Sequence, residues 1–256
     1  MDKKEQEYID KISKMTNKIV CPICRRPVAE ISKINDRDNN ISFWGECLCG
    51  IIFQLEKPSH KLYNKKYRNN YKVENYEAIN SYGTKIYAPL LEELCDSRKF
   101  LEVGFNLPCT LDFMESRGWV CYGIDINKDK IEERPRIFKG NFEDYDFGDH
   151  KFNLIWMGHV FEHFDNPIKV IMKCYDLLSE SGVLFISTPD IDFINTLGKS
   201  EWPHWNKNEH YIFWNMRSLS RELERLGFKV LMKRRNFSSR FSSWHDIHII
   251  AQKIYF

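Results

Sequence analysis

The sequence predicts an α/β fold in which a doubly wound, mostly parallel sheet of seven strands follows a small β segment. Three features lead to this prediction. From Phe100 onward, short apolar runs alternate with amphipathic segments of helical length, which is typical of a parallel sheet covered by helices on both faces. The helical segments end on glycine, the residue that most favours helix termination. The last two apolar runs follow each other without a helix, which predicts an antiparallel edge.

Each element of this pattern has its own sequence signature. Seven runs rich in apolar and β-branched residues predict strands, at residues 100–105, 119–126, 136–142, 151–158, 183–189, 228–235 and 245–254. Three segments with helical periodicity predict amphipathic helices, each closed by a glycine, at residues 110–118, 167–182 and 216–227. The order of these segments predicts that consecutive parallel strands are joined by crossover helices.

Composition divides the 256 residues into three regions. Residues 1–56 carry four cysteines and short β-like runs, residues 57–97 are polar, basic and tyrosine-rich, and residues 98–256 hold the alternating α/β pattern. The second region predicts a helical linker or cap. Lys and Arg (38) nearly balance Asp and Glu (36), for a formal net charge of +2, which makes a nucleic-acid partner unlikely.

No segment of the sequence has the apolar core of a signal peptide or the roughly 18 apolar residues of a membrane span. We therefore expect a cytoplasmic protein without membrane contact, and the pattern specifies no oligomeric state.

Four of the eight cysteines form a cluster in the first region. Cys21 and Cys24 form a C-x-x-C pair, and Cys47 and Cys49 form a C-x-C pair after 22 intervening residues. Outside a secretory context such a pattern favours metal ligation over disulfides. We name these four residues the cysteine cluster, and we predict that it binds one structural zinc ion in a zinc-ribbon-like segment spanning residues 1–56. His60 is an alternative ligand because the second pair is C-x-C, and four buried free thiols are the alternative without metal.

Residues 60–76 place three tyrosines, Tyr63, Tyr67 and Tyr71, at a spacing of four among basic side chains. Aromatic residues interleaved with basic ones are typical of single-stranded nucleic-acid binding. The favoured interpretation is an amphipathic helix that packs its tyrosines on the main domain and leaves its lysines in water. A third interpretation is that the tyrosines cap a ligand site.

The first strand of the α/β region ends in a turn at Gly104, and Asp125 ends the second strand 21 residues later. In doubly wound sheets, ligands bind beyond the carboxyl ends of the strands, and an acidic residue at this spacing accepts hydrogen bonds from ribose hydroxyls. The alternative is that Asp125 caps the following helix. A nucleotide-like cofactor site is therefore one interpretation of this edge.

The order FLEVGF, YGIDIN, FKGNF, WMGHVFEHFDNP and GVLFISTPD resembles the class I S-adenosylmethionine-dependent methyltransferases, which have a Rossmann-like fold. The closest resemblance is to members in which the fourth strand leads into a His-x-x-Glu-His segment, here His159, Glu162 and His163. It covers about residues 98–255 and, more loosely, the zinc-ribbon-like segment. Members with such a segment are common among sugar and small-metabolite methyltransferases. The resemblance implies S-adenosylmethionine as the cofactor.

The resemblance also implies roles for individual residues. Gly104 brings backbone close to the cofactor, Asp125 binds the ribose, Asn141 stands near the adenine amino group, Phe142 flanks the ring, and His159 points toward the methyl acceptor. The implied cofactor-binding set is Glu102, Gly104, Asn106, Asp125, Ile126, Asn141, Phe142, Met157 and Gly158.

The loop after Gly104 departs from the family pattern because Asn106 and Pro108 stand where glycines are usual, and Ser181 replaces another glycine. S-adenosylmethionine has no pyrophosphate, so the backbone need not approach as closely as in a dinucleotide site. Asparagine tolerates positive φ, and proline suits the start of a helix. We therefore predict a working cofactor turn and argue against a nicotinamide site.

Three histidines are candidate general bases for transfer to a hydroxyl: His159 first, then His163 and His210. For each the alternative is a structural role, and His204 and His210 can instead order a tryptophan-rich loop. The fourth strand lacks an Asn-Pro-Pro-Tyr segment, which in the family typifies transfer to planar amino groups, so oxygen or carbon acceptors are favoured. The leading hypothesis is O-methylation of a small molecule such as a sugar or surface-glycan precursor. An RNA methyltransferase and a non-catalytic interaction module are the alternatives.

Overall fold

A computed structural model describes most of the chain as strands, helices and connecting turns. The described residues are 18–36, 40–57, 73–126, 134–199, 201–202, 204–205, 209–237 and 245–254. The strands are β1 (Glu30–Asn35), β2 (Ile41–Cys47), β3 (Ile51–Gln54), β4 (Lys99–Val103), β5 (Val120–Asp125), β6 (Ile137–Lys139), β7 (Phe152–Gly158), β8 (Leu178–Pro189), β9 (Ile212–Trp214), β10 (Phe228–Phe237) and β11 (His245–Lys253). The α-helices are α1 (Val73–Leu94), α2 (Cys109–Ser116), α3 (Pro167–Leu177), α4 (Ile194–Leu197) and α5 (Met216–Arg225).

Seven strands form the main sheet in the order β10-β11-β8-β7-β4-β5-β6. The five strands from β8 to β6 pair in parallel, whereas β11 pairs antiparallel with both β8 and β10. The predicted seven-stranded, mostly parallel sheet with an antiparallel edge is therefore confirmed. The last strand of the chain inserts between β8 and β10.

The strand order reverses next to β4, which pairs with β5 on one side and with β7 on the other. The chain builds β4, β5 and β6 outward in one direction and then returns to add β7 and β8 on the other side of β4. Ligands in doubly wound sheets bind in the crevice outside the strands at such a reversal. The carboxyl ends of β4, β5 and β7 therefore mark the predicted ligand edge.

Local sequence explains where the helices begin and end. Asn166 caps α3 by accepting a hydrogen bond from the Lys169 amide, and Pro167 occupies the first helical position. This helix ends at Leu177, five residues before the end predicted at Gly182. The prediction was wrong because Leu178 is already extended and pairs with Phe152 of β7.

A second, four-stranded antiparallel sheet has the order β1-β2-β3-β9. Its first three strands come from the cysteine-bearing segment, and β9 comes from the α/β region. In this pairing Ile51 lies opposite Trp214, and Ile52 lies opposite Phe213. The two sequence regions are thus joined by backbone hydrogen bonds, which their compositions did not predict.

Helix α1 lies within the region predicted to be a helical linker or cap. Its Tyr87, Ala88 and Leu91 are buried in a hydrophobic cluster of the main domain, and the Tyr87 hydroxyl pairs with His248 Nδ1 of β11 at 2.7 Å. The three tyrosines at spacing four and His60 lie outside the described residues. In the described part of the chain, no helix combines the length and apolar character that crossing a bilayer requires.

Candidate functional site

Gly104 forms the turn that follows β4 at the ligand edge. Its φ is +71°, and its amide donates to the Ile124 carbonyl at 2.8 Å. A Cβ at this position would lie 2.5 Å from Val160 Cγ2. Both the left-handed backbone and this close approach require glycine, so the segment after β7 packs directly on the turn.

Asn106 continues the turn with a φ of +46°, so the positive φ for which asparagine is suited is confirmed. The Asn106 amide donates to Asp125 Oδ2 at 3.1 Å. Pro108 lies at the N-cap of α2 and directly precedes the helix. The two residues that replace the usual glycines therefore fit the turn, which is fastened to the acidic residue at the end of β5.

Glu102 on β4 is, after Asp125 on β5, the second acidic residue at the ligand edge. It is buried within β4, and within the described part of the chain its Oε2 atom has no hydrogen-bond partner. Burial raises the pKa of Glu102 well above its usual value, although a hydrogen bond with Thr110 opposes the shift. A buried carboxyl oxygen without a partner calls for one. The hydroxyl and amino groups of an adenosyl or methionine moiety are polar partners of the required kind, so the residues fit such a cofactor.

The other residues of the predicted cofactor-binding set have varied environments. Ile126 is exposed just beyond β5, and Gly158 ends β7. The Asn141 side chain accepts from the Glu143 amide and so orders its own turn. Phe142 and Met157 are buried in the hydrophobic core. Four predicted residues, at positions 104, 106, 125 and 126, therefore lie together on the turns after β4 and β5.

His159 follows β7 directly and has a φ of +50°. Its amide donates to the Ser187 carbonyl of β8 at 2.9 Å. The side chain lies between two carboxylates: Nδ1 is 3.6 Å from Glu162 Oε1, and Nε2 is 3.3 Å from Asp246 Oδ2. The imidazole is only partly exposed, at 22%, so its orientation is fixed from both sides.

The charges around His159 shift the pKa values of all three groups. Burial lowers the pKa of His159, but Asp246 and Glu162 outweigh it, and the net pKa lies well above the ordinary value. Burial raises the pKa of both carboxyl groups, yet the interaction with His159 holds each below its usual range. The arrangement therefore favours an imidazolium flanked by two carboxylates.

Glu162, His163 and His210 form a second group of polar side chains, which we name the histidine cluster. One potential ligand atom from each of them lies within 4.8 Å of the others. Tyr211 N donates to the Glu162 carbonyl at 2.8 Å, which links the turn after β7 to the segment before β9. Burial lowers the pKa of His210 to about 3, and His163 adds to the effect. All three predicted catalytic histidines thus lie near Glu162.

Sequence reasoning missed Asp246, which stands near the start of β11. In the antiparallel strand β11, Asp246 pairs with Pro189 at the carboxyl end of β8. An antiparallel strand begins where its parallel neighbours end, so polar residues at its start lie at the ligand edge. The segment HDIH at residues 245–248 carried this signal, because its polar residues open an otherwise apolar strand.

The aromatic residues of the loop before β9 are packed inside the protein. Trp202 and Trp205 are buried, and the Trp205 ring lies 4.9 Å from that of Trp44 in β2. Phe213 stacks on the same Trp44 ring at 5.2 Å. These side chains therefore hold the loop against the second sheet.

The cysteine cluster lies at one end of the second sheet. The Cys21 and Cys49 sulfurs are 3.7 Å apart, and those of Cys24 and Cys47 are 3.4 Å apart. All four sulfurs lie within 4.8 Å of one another, and none forms a disulfide. Thiolates that share a tetrahedral zinc ion with bonds of about 2.3 Å lie about 3.8 Å apart. The four sulfurs therefore fit one zinc ion, and His60 is not needed to complete the set.

Comparison with known proteins gives the class of this protein. The model of the methyltransferase domain family matches residues 74–233, more than half of the chain. The chain therefore belongs to the methyltransferase domain family. The predicted class of enzyme, a methyltransferase that depends on S-adenosylmethionine, is confirmed at the level of the family.

Individual relatives agree with this assignment. The ubiquinone biosynthesis O-methyltransferase of Glaesserella parasuis serovar 5 (strain SH0165) is 30% identical over 107 residues, which are 36% of this chain and 45% of that protein. The chain thus matches less than half of the length of that relative.

Two solved structures share the fold. The Burkholderia thailandensis 1,6-didemethyltoxoflavin-N1-methyltransferase, crystallised with 1,6-didemethyltoxoflavin and S-adenosylhomocysteine, superposes with a TM-score of 0.62 at 15% identity and covers 89% of this chain and 100% of its own. A SAM-dependent methyltransferase from Archaeoglobus fulgidus superposes with a TM-score of 0.52 at 17% identity, over 68% of this chain and 94% of its own. At these identities the similarity is one of fold, and it confirms the predicted Rossmann-like α/β fold.

Proposed function

We propose that this protein uses S-adenosylmethionine to methylate a hydroxyl oxygen of a small molecule, such as a sugar or a surface-glycan precursor. The observation that carries the proposal is the environment of His159. It lies between Glu162 and Asp246, and its neighbour Val160 packs on the Gly104 turn. A histidine held by carboxylates beside the cofactor turn is suited to taking a proton from an acceptor.

The turns after β4 and β5 would hold the cofactor. Asp125 accepts hydrogen bonds from the ribose hydroxyls. Glu102 Oε2 gains a hydrogen-bond partner from a polar group of the cofactor. Gly104 and Asn106 allow the backbone to turn closely around the bound molecule, and Ile126 adds apolar contact beyond β5. Asn141 and Gly158 line the neighbouring turns, whereas Phe142 and Met157 support them from the core.

When bound, S-adenosylmethionine supplies a methyl carbon whose bond to sulfur breaks as the acceptor oxygen attacks in line. The chain must align the acceptor and remove its hydroxyl proton. We assign this role to the neutral form of His159. Glu162 and Asp246 raise the pKa of the ring, so only its deprotonated fraction can take the proton, and the same carboxylates stabilise the imidazolium that results. Asp246 and Glu162 act as positioning residues, since they fix the ring from both of its nitrogens.

Two observations favour an oxygen acceptor. The curated relative is an O-methyltransferase by name, and the turn after β7 carries WMGH instead of Asn-Pro-Pro-Tyr. A sugar is the acceptor class implied by the resemblance to methyltransferases with a cysteine-bearing N-terminal segment.

We also propose that the cysteine cluster binds one structural zinc ion. The spacing of its four sulfurs supports this assignment, as does their position at the end of the sheet that β9 completes. A closed set of four thiolates leaves no coordination position for a substrate. The ion would therefore stabilise the second sheet and take no part in methyl transfer.

Calorimetric titration with S-adenosylmethionine tests the assignment of the cofactor site. The wild-type protein should bind the cofactor, and Asp125→Ala should weaken binding by about 1–3 kcal/mol, roughly 5- to 150-fold in Kd, because ribose hydrogen bonds are lost. Asp149→Ala is the matched control. Asp149 is exposed and precedes β7, so it lies toward the opposite edge of the sheet.

Unchanged binding in Asp125→Ala would refute the site assignment, and a wild-type protein that binds no cofactor would refute the proposed activity. The acceptor class is tested separately with tritiated cofactor and a panel of sugars, phenols and RNA. Label transferred to a sugar hydroxyl supports the proposal. Label transferred only to RNA would contradict it.

A further inference from the structure

The histidine cluster combines three side chains that are common ligands of transition metals. One potential ligand atom from Glu162, His163 and His210 lies within 4.8 Å of the others. Two imidazoles and one carboxylate form the protein ligand set of several catalytic zinc sites and of non-haem iron sites. We propose that the histidine cluster binds a divalent metal ion, with zinc as the first candidate, beside the acceptor position.

Hydrogen bonds to backbone carbonyls select the nitrogen that each histidine would present to the metal. His163 Nδ1 lies 2.8 Å from the Glu209 carbonyl, and His210 Nδ1 lies 2.6 Å from the His204 carbonyl. A carbonyl only accepts, so each Nδ1 carries the proton and each Nε2 carries the lone pair. Metal-binding histidines almost always donate their second ring N–H in this way, because the bond fixes both tautomer and ring orientation.

Glu162 is held in a similar manner. Its side chain is buried, and its Oε2 atom accepts a hydrogen bond from Thr188 Oγ1 at 3.0 Å. The bond from Tyr211 N to the Glu162 carbonyl keeps the turn after β7 in register with the segment that carries His210. The three ligands therefore come from two segments that the backbone has already joined.

The ligand atoms lie within the range from which a coordinated site can form. Nitrogen and oxygen ligands with zinc bonds of about 2.0–2.1 Å lie about 3.3 Å apart in a tetrahedral site. The imidazole rings of His163 and His210 are 4.8 Å apart by their centroids, a spacing compatible with two imidazoles that bind the same ion. Both histidines are half-buried, which lets an ion enter from solvent.

Three protein ligands leave at least one coordination position open. This distinguishes the histidine cluster from the cysteine cluster, in which four ligands close the site. An acceptor hydroxyl in the open position would lose its proton more readily, because a metal ion there would stabilise the alkoxide. This role rests on the proposed function, with His159 taking the proton. The binding of the ion itself does not depend on it.

Metal counting on the full-length protein tests the proposal. Protein equilibrated with zinc sulfate and then freed of unbound ion should retain two zinc ions per chain, one in each cluster. The double variant His163→Ala/His210→Ala should retain one. The single variant His163→Gln, which changes the fold less, should weaken the second site at least about tenfold. His150→Ala is the matched control, because His150 is half-buried but pairs with Lys99 outside the cluster.

Cobalt substitution checks that the variants are folded, since thiolate-to-cobalt absorption reports the cysteine cluster alone. That absorption should be the same in wild type and in the double variant. A double variant that still holds two ions, or a wild-type protein whose only zinc is lost on Cys24→Ser, would overturn the proposal. Wild type that holds the second ion without binding S-adenosylmethionine would instead refute the proposed function and leave the metal site standing.

Discussion

The cysteine cluster and the histidine cluster are both built from common metal-ligating side chains, yet they differ in the number of ligands and in burial. In the cysteine cluster, four sulfurs face one another at the end of a small sheet, and three of the four residues are buried. In the histidine cluster, one buried carboxylate meets two half-buried imidazoles at the edge where the strand order reverses. A closed set of ligands serves stability, whereas an open set beside a ligand crevice serves chemistry.

The two clusters also differ in how their members are brought together. The cysteines come in two local pairs, so short turns before and after the strands of one sheet bring them together. The histidine cluster draws on distant segments: Glu162 and His163 follow β7, whereas His210 precedes β9. The cysteine cluster therefore depends on local turns and one small sheet, whereas the histidine cluster depends on the whole fold.

The largest effect on zinc content and stability is expected from removing one ligand of the cysteine cluster. Cys24→Ser removes one of the four thiolates, and we expect the cysteine cluster to lose its proposed zinc ion and the second sheet to lose much of its stability, while the histidine cluster keeps its own ion. Structural zinc sites contribute on the order of 10–16 kcal/mol of apparent binding free energy. Zinc counting and hydrogen exchange of the β2 and β3 amides measure the two losses.

Cys95→Ser is the matched control for that variant. Cys95 lies outside the cluster, and its thiol donates to the Asn153 carbonyl, which a serine hydroxyl can also reach. We expect zinc content and amide protection to stay at wild-type values. If Cys24→Ser also keeps both, the four cysteines are free thiols, and the contrast between the clusters disappears.

The next effect should appear in activity alone. His159→Ala removes the proposed base, and we expect kcat to fall by about 10²–10⁴ with an S-adenosylmethionine affinity close to that of wild type. Asp246→Asn keeps the shape of the side chain but removes its charge, so a smaller fall in kcat is expected. Steady-state kinetics with the acceptor found by the panel measure both. A His159→Ala enzyme with full activity would assign the base to another group.

The smallest of the three effects concerns the cofactor turn. Gly104→Ala should lower the free energy of unfolding by about 1–2 kcal/mol for the left-handed backbone, and further because its Cβ would meet Val160. Gly148→Ala is the matched control, since Gly148 has a φ of +55° and a Cβ added there would have no described atom within 4 Å. Urea unfolding compares the two variants. Equal losses would show that packing on Val160 contributes nothing to the turn.

Local patterns predicted much of this fold because the corresponding elements are short and strongly patterned. The strands of the main sheet, the helix after Pro108 and the left-handed turn at Asn106 all follow from residues near in sequence. The helix predicted to reach Gly182 is an instructive failure. Helical periodicity continues past Leu177. The helix nevertheless ends there, because Leu178 pairs with Phe152 and the segment continues as strand β8.

By itself the sequence determined the order of strands and helices, the turn at Gly104 and the two cysteine pairs, because each depends on spacing within a short stretch of chain. Only the tertiary structure decided which distant residues meet. It inserted β11 beside β8 and brought Asp246 to His159, it joined β9 to the cysteine-bearing sheet, and it placed His210 beside Glu162. Such contacts depend on sheet pairing between distant segments, which local periodicity does not encode.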